Sequence, residues 1–144
     1  MKALFPLVLL LTSMVLAQAD WTNNYPAALA QASAQNKLVL LDFTGSDWCP
    51  YCQLLHKEVL TTPAFQSFAD TNYVLVRVDF PHQKQLPDEV RQQNRNLQQQ
   101  FNVYTFPTLI VVNAEGKGLG RKVGYNPGSG PGPVIAMLTR INHR

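Results

Sequence analysis

The 144-residue sequence has only two cysteines, few charged residues and no clustered charge of either sign. Charged residues make up 15% of the chain and the formal net charge is +3, with lysine and arginine scattered along it. Because nucleic-acid-binding domains concentrate basic charge on one face, this distribution argues against nucleic acid as a partner. The chain also has no internal repeat and no internal linker, which indicates a single domain.

The N-terminal residues have the composition of an export signal. Lys2 supplies a positive charge, residues 4–11 are apolar, and residues 17–19 (AQA) have the pattern of a cleavage site. The apolar run is short for a membrane span, and no cysteine follows it to carry a lipid. We therefore predict a signal peptide at 1–19, a single folded domain at 20–144 and a periplasmic or secreted location. An uncleaved N-terminal anchor is the alternative.

The two cysteines are the most informative residues of the chain. Cys49 and Cys52 are separated by two residues and lie where a predicted strand is followed by a predicted helix. A disulfide that closes so short a loop restricts the unfolded chain little, so stability is a poor reason for the pair. At the first turn of a helix, the helix dipole and unpaired N–H groups favour the thiolate, which is the form that attacks disulfides. The pair therefore predicts dithiol–disulfide exchange, with a permanently closed disulfide as the alternative.

Hydrophobic patterns predict an α/β chain built around one sheet. Buried strands are predicted at 38–43, 73–79 and 108–112, with a hairpin partner for the last at 119–123. Residues 20–25 are predicted to be an irregular lead-in. Helices are predicted at 26–36, 49–60, 63–70, 86–101 and 134–141. This order of elements predicts a sheet with helices on both faces.

Four further segments carry a family resemblance: DFTGSDWC at 42–49, VDFP at 78–81, FPT at 106–108 and GY at 124–125. Together with the Cys-x-x-Cys pair, they resemble the thioredoxin superfamily, and most closely its exported thiol:disulfide interchange branch. The resemblance covers about residues 26–142. It implies the thioredoxin fold, an α/β structure with a central mixed sheet of four to five strands and the dithiol at the start of the second helix.

The resemblance also implies roles for residues around the cysteines. Cys49 would be the exposed nucleophile and Cys52 the resolving thiol. Pro107 would be cis and would lie opposite the dithiol, and the backbone of Phe106 would pair with an extended substrate segment. A trans proline that starts an edge strand is the alternative. Trp48 would flank the site and exclude water from it, or would serve as a core anchor.

Two carboxylates compete for the role of tuning the dithiol. Asp42 interrupts an apolar strand, where ionisation is costly, so its pKa should rise and allow it to relay protons as a catalytic residue. The resemblance implies a buried aspartate beneath the resolving cysteine, six residues before the first cysteine, whereas Asp42 lies seven residues before it. Asp47, in the turn before the helix, is the alternative.

No metal site and no cofactor are predicted. His56 lies four residues after the second cysteine, but His82 and His143 are far away in sequence. One histidine beside a Cys-x-x-Cys pair does not make a zinc site, which needs a compact set of ligands. We expect His56 to be a solvent-facing helix residue.

The predicted function is that of an exported thiol–disulfide oxidoreductase that acts on protein disulfides, in the reductive direction. Its expected partners are protein thiols and disulfides and a membrane-bound or soluble thiol electron donor, and the chain is expected to be a monomer. By resemblance, the lack of an appended dimerisation domain and of a large helical insertion favours a reductase over an isomerase or an oxidase.

Pro50 and Tyr51, between the cysteines, are expected to tune the dithiol and to contact substrate. Cys-Pro-Tyr-Cys is typical of glutaredoxins, although the surrounding sequence is not, so a glutathione-dependent protein is an alternative. A non-enzymatic module that holds extended peptides in a groove around Pro107 is another.

Overall fold

A computed structural model describes residues 19–143, so the predicted signal peptide lies outside the described residues except for Ala19. The strands of the described chain are β1 (Trp21–Thr22), β2 (Leu38–Thr44), β3 (Tyr73–Asp79), β4 (Thr108–Val112) and β5 (Gly118–Val123). The helices are α1 (Tyr25–Gln35), α2 (Pro50–Leu55), α3 (Pro63–Asn72), α4 (Asp88–Gln100) and α5 (Gly132–Asn142), with a π-helical turn at His56–Leu60.

The five strands form one mixed sheet in the order β1-β3-β2-β4-β5. Strands β1 and β2 run parallel to β3, β4 is antiparallel to β2, and β5 is antiparallel to β4. The central strands β2 and β3 pair over seven positions, from Leu38 with Tyr73 to Thr44 with Asp79. Both are nearly continuous apolar runs, as expected of strands that are covered on both faces.

Alternate side chains of the central strands belong to two hydrophobic clusters, one on each face of the sheet. On one face, Leu40 and Leu75 pack with residues of the π-helical turn, α3 and α5. On the other face, Leu41 and Val76 pack with residues of α1 and α4. The predicted α/β architecture, a sheet with helices on both faces, is confirmed.

Strand β1 corrects the prediction that residues 20–25 are irregular. Trp21 and Thr22 pair in parallel with Leu75 and Val76 of β3. A strand of two residues has no room to show the alternation by which strands are recognised in a sequence. The guanidinium carbon of Arg77 lies 5.1 Å from the centre of the Trp21 ring, so a cation–π contact adds to the pairing.

Two predicted helices also differ in detail. The helix predicted at 49–60 changes to π-helical geometry at His56, and the Thr61 N–H bonds to the His56 carbonyl five residues back. Helix α4 begins at Asp88, so Leu86 lies in the preceding loop and not on the predicted helical stripe. Within the described part of the chain, no helix combines the length and the apolar character needed to cross a membrane.

Candidate active site

The two cysteines lie at the start of α2 and form a disulfide with a Cα–Cα distance of 5.2 Å. Cys49 is the N-cap of the helix, and its Sγ accepts a hydrogen bond from the Cys52 N–H at 3.3 Å. The Gly45 N–H points at the Cys52 Sγ from 3.5 Å. Each sulfur thus has one backbone N–H directed at it, and N–H donors of this kind stabilise a thiolate.

The exposure of Cys49 is lower than expected. Cys49 keeps only 5% of its surface and Cys52 keeps 3%, so the predicted contrast between an exposed and a buried cysteine is small here. Because the pair is a disulfide in the structure, these exposures are those of the oxidised state.

The segment before β4 carries the predicted substrate-facing proline. The Phe106–Pro107 peptide bond is cis, and the buried Pro107 carbonyl accepts a hydrogen bond from the Gly124 N–H at 2.8 Å. Gly124 has φ of +76°, a conformation that favours glycine. The Phe106 ring stacks on Phe80 at 5.2 Å and meets Trp48 edge-on at 6.0 Å. These aromatic contacts hold the proline segment against the segment that carries the cysteines.

Trp48 forms a wall beside the dithiol and is not a core anchor, since 38% of its surface is exposed. Its Nε1 donates a hydrogen bond to the Phe80 carbonyl at 2.8 Å, and its ring stacks on His82 at 4.4 Å with only 3° between the planes. A Cβ on Gly45 would lie 2.3 Å from the Trp48 ring. The ring therefore occupies space that only a glycine at position 45 leaves free.

Asp47 holds the loop that carries His82. Its carboxylate accepts hydrogen bonds from the backbone N–H groups of His82, Gln83 and Lys84 at 2.9, 2.8 and 3.0 Å. These bonds, led by those from His82 and Lys84, lower the pKa of Asp47 to about 2. At neutral pH Asp47 is therefore ionised and engaged by three donors, which suits it to hold the loop and not to relay protons.

Asp42 lies on β2, the central strand of the sheet. Burial raises the pKa of Asp42 to about 7, an effect that Arg77 opposes and Asp79 reinforces. Asp42 and Cys52 line one cavity of about 170 Å³. The Oδ1 of Asp42 is buried without a hydrogen-bond partner among the described residues. A carboxyl group with this pKa can give or take a proton at neutral pH.

Arg77 and His56 also line this cavity, and neither was predicted to be a site residue. Arg77 lies on β3 directly across from Asp42, and its Nη2 is 3.3 Å from the Nδ1 of His56. Since a guanidinium only donates, Nδ1 accepts. Burial and the nearby Arg77 lower the pKa of His56, which favours the neutral ring. His56 is exposed as expected, yet it also lines the cavity. A charged residue inside the apolar run 73–79 was the available signal for Arg77.

Exposed apolar side chains lie around the dithiol. The large hydrophobic side chains that are exposed within residues 19–143 are Trp48, Tyr51, Tyr104 and Val123. Trp48 and Tyr51 flank Cys49, Tyr104 belongs to the segment that leads to Pro107, and Val123 pairs in register with Thr108. Pro50 is exposed as well. Exposed apolar patches of this kind mark surfaces that bind other proteins.

The described residues contain no group of three or more His, Cys, Asp or Glu side chains arranged to hold a metal ion.

The chain is similar to known thiol–disulfide proteins in sequence and in structure. The family model described as "Thioredoxin-like domain" matches residues 25–130. Disulfide bond reductase DsbH of Chlamydia pneumoniae is 40% identical over 128 residues, which are 89% of this chain and 76% of that protein. Thiol:disulfide interchange protein DsbD 1 of Pseudomonas aeruginosa is 33% identical over 96 residues, 63% of this chain and 15% of that protein.

The similarity extends to the three-dimensional structure. A solved structure described as DsbH Oxidoreductase has a TM-score of 0.81 and 35% identity, and the match covers 88% of this chain and 86% of that one. The family model covers most of the chain, and the relatives are named for thiol–disulfide chemistry. The chain belongs to the thioredoxin superfamily, in its thiol:disulfide interchange branch, and is a thiol–disulfide oxidoreductase.

Proposed function

We propose that the chain is an exported reductase of protein disulfides, with Cys49 as nucleophile and Cys52 as resolving thiol. The observation that carries this proposal is the position of the pair, at the N-terminus of α2 and beside Trp48, Tyr51 and the cis-proline segment. A surface of exposed aromatic side chains suits a polypeptide substrate better than a small thiol. The name of the relative that is 40% identical, Disulfide bond reductase DsbH, supports the reductive direction.

The first step uses the Cys49 thiolate. It attacks one sulfur of the substrate disulfide, the other substrate sulfur leaves as a thiolate, and a mixed disulfide joins Cys49 to the substrate. An extended substrate segment would pair with the backbone at Phe106 and lie against Trp48, Pro50 and Tyr51. This strand-like pairing would hold the substrate disulfide next to Pro107 and Cys49.

The second step uses Cys52. The Cys52 thiol loses a proton to the Asp42 carboxylate and attacks the Cys49 sulfur. The bond between Cys49 and the substrate breaks, the Cys49–Cys52 disulfide forms, and the second substrate sulfur leaves as a thiolate. Both substrate thiolates then take up protons from water according to their pKa values. Two electrons have then passed from the protein to the substrate. The closed disulfide is the state in the structure, in which Asp42 has a pKa of about 7 and can keep the proton it received. A membrane-bound or soluble dithiol donor would reduce the pair again.

The signal-like segment 1–19 supports export to the periplasm or beyond. N-terminal sequencing of the protein isolated from an envelope fraction tests this part of the proposal. A mature terminus at Asp20 is expected. A protein that keeps Met1 and sediments with membranes would contradict cleavage and support the anchored alternative.

The reduction potential tests the direction. We expect equilibration with glutathione redox buffers, followed by Trp48 fluorescence, to give a value near that of thioredoxin, roughly −270 mV. A value near roughly −120 mV would overturn the reductive assignment and indicate an oxidant. Turnover of insulin disulfides should be lost in Cys49→Ser. If biological activity survives replacement of both cysteines by serine, the peptide-binding alternative is correct.

A further inference from the structure

A groove beside the dithiol has no role in the exchange steps described above. It has a volume of about 520 Å³ and is separate from the small cavity that Asp42 lines. Its apolar walls include the rings of Trp48, Phe80 and Phe106. Trp48 precedes the nucleophilic cysteine and Phe106 precedes the cis proline, so the groove is continuous with the proposed substrate surface.

The other wall of the groove is basic. Lys84 from the loop before α4, and Arg91 and Arg95 from α4, line it, and all three side chains are exposed. Arg91 and Arg95 are four residues apart, so they project from the same face of the helix. We call the surface formed by Trp48, Phe80, Lys84, Arg91, Arg95 and Phe106 the basic groove.

Nearby carboxylates offset part of this charge. Asp79 also lines the groove, but it is buried, and it accepts hydrogen bonds from Ser46 while Lys84 lies 3.2 Å from its Oδ2. Asp88 pairs with Arg91 at the surface. Arg95 has no carboxylate partner among the described residues and donates only to Gln92. Lys84, Arg91 and Arg95 are thus the basic residues in the lining of the groove and Asp79 is the acidic one, so the lining carries a net positive charge beside its aromatic wall. The ionised Asp47 is not part of the lining, and its carboxylate is engaged by three backbone N–H groups.

We propose that the basic groove binds an acidic, extended segment of the substrate protein next to its reactive cysteine. This inference rests on the proposed function, because it extends the substrate surface around Pro107. Arginine guanidinium groups pair with carboxylates through parallel N–H donors, and the aromatic wall accommodates the aliphatic part of glutamate or a neighbouring apolar side chain. An extended chain advances about 3.3 Å per residue, so a few residues on from the cysteine suffice to enter a groove that begins at Trp48.

Two peptides of one sequence test the proposal. One has glutamates on both sides of a single cysteine and the other has glutamines at the same positions, and each cysteine is first linked to thionitrobenzoate as a mixed disulfide. The reduced protein attacks this disulfide and releases the coloured thionitrobenzoate, and stopped-flow absorbance gives the second-order rate constant. No protein electron donor is present, so only substrate recognition is measured.

We expect the acidic peptide to react about tenfold faster than the neutral one at low salt, as charge complementarity mainly raises the association rate. The ratio should approach one in about 1 M salt, where the screening length falls to roughly 3 Å. The double variant Arg91→Gln/Arg95→Gln should also bring the ratio close to one. A ratio near one in the unchanged protein, or an unchanged ratio in this variant, would overturn the proposal.

The double variant Lys117→Gln/Arg140→Gln is a matched control, because it removes the same charge elsewhere. Arg140 is on α5, which packs on the opposite face of the sheet from α4, and Lys117 is at the far end of the β4–β5 hairpin. The control should retain the tenfold ratio. If it loses the ratio too, the preference comes from overall charge and not from the groove. If the unchanged protein releases thionitrobenzoate from neither peptide, the proposed function itself is contradicted.

Discussion

Asp42 and Cys52 line the same cavity of about 170 Å³, one from the middle of β2 and the other from the first turn of α2. Burial raises the pKa of this carboxyl group to about 7. His56 and Arg77 also line the cavity, and the Arg77 Nη2 lies 3.3 Å from the His56 Nδ1. This arrangement gives the resolving cysteine a proton acceptor that titrates at neutral pH.

Replacing Asp42 by asparagine should slow the second exchange step. Without the carboxylate, the Cys52 thiol loses the proton acceptor that we assign to it, and general base catalysis typically contributes at least about a hundredfold. We expect the mixed disulfide on Cys49 to decay about a hundredfold more slowly at pH 7, measured by acid quench and mass spectrometry. The deficit should shrink as pH rises, because hydroxide then deprotonates Cys52 directly.

Attack by Cys49 on thionitrobenzoate disulfides should be nearly unchanged in Asp42→Asn, which separates a proton-transfer role from a general disturbance of the fold. His56, Arg77 and Asp79 are the other titratable or charged groups near Asp42. His56→Gln therefore serves as the comparison. If His56→Gln removes the pH dependence and Asp42→Asn does not, Asp42 is not the acceptor.

Asp42→Asn should stabilise the oxidised protein against unfolding at high pH. The pKa of Asp42 is raised from 3.8 in the unfolded chain to about 7 in the fold. Below about pH 4 both states are protonated, so the full stability is present. Between about pH 4 and pH 7, Asp42 ionises in the unfolded chain but stays protonated in the fold, so the free energy of unfolding falls as pH rises. At about 1.4 kcal/mol per pKa unit, the loss reaches up to about 4 kcal/mol by pH 8.

Chemical denaturation of the oxidised proteins at pH 4 and pH 8 measures this effect. The stability of Asp42→Asn relative to the unchanged protein should rise with pH by up to about 4 kcal/mol. A difference that is the same at both pH values would show that Asp42 does not carry a raised pKa.

Much of this site could be predicted because it depends on short-range sequence features. The spacing of Cys49 and Cys52 and their place after an apolar strand predicted a helix start, and a helix start determines where backbone donors meet the sulfurs. Asp42 was recognisable since a carboxylate in an apolar strand has to be buried whichever face it occupies.

The remaining features depend on which segments meet in three dimensions. The Trp48–His82 stack joins residues that are 34 positions apart, and neither residue has a local signal for the contact. Arg77 faces Asp42 only through the register of β2 and β3, which a single sequence does not reveal. Strand β1 has two residues, and its pairing with β3 is decided by tertiary packing and not by its own pattern.

Asp47 should matter for the loop at 82–84 and not for proton transfer. In Asp47→Asn, a neutral amide replaces the carboxylate that accepts three backbone bonds, and bonds to charged groups are roughly twice as strong. We expect amide hydrogen exchange at His82, Gln83 and Lys84 to become about tenfold faster near neutral pH.

The pH dependence follows from the lowered pKa of Asp47, about 2. Because this pKa is depressed, the ionised Asp47 stabilises the loop fully above the ordinary pKa of 3.8. This stabilisation is lost only as pH falls through about 2. Exchange protection should therefore show no transition between pH 5 and pH 8. Asp70→Asn is the control, since Asp70 is an exposed aspartate on α3 whose backbone carbonyl accepts a hydrogen bond from the Lys37 Nζ. Equal effects of the two substitutions would contradict the role of Asp47.

Gly45 should be required for the position of Trp48. An alanine Cβ would lie 2.3 Å from the Trp48 ring, closer than any real contact, so the ring has to leave its stack on His82. Overpacking of this kind costs about 1–3 kcal/mol. We expect Gly45→Ala to lose that much stability and to shift the tryptophan emission. Gly132→Ala is the matched control, because a Cβ there meets nothing within 4 Å and φ is not positive.

The same variant tests whether Trp48 excludes water from the sulfurs. If it does, Gly45→Ala should slow the reduction of peptide disulfides severalfold more than its loss of stability explains. An unchanged rate would show that Trp48 only supports the loop.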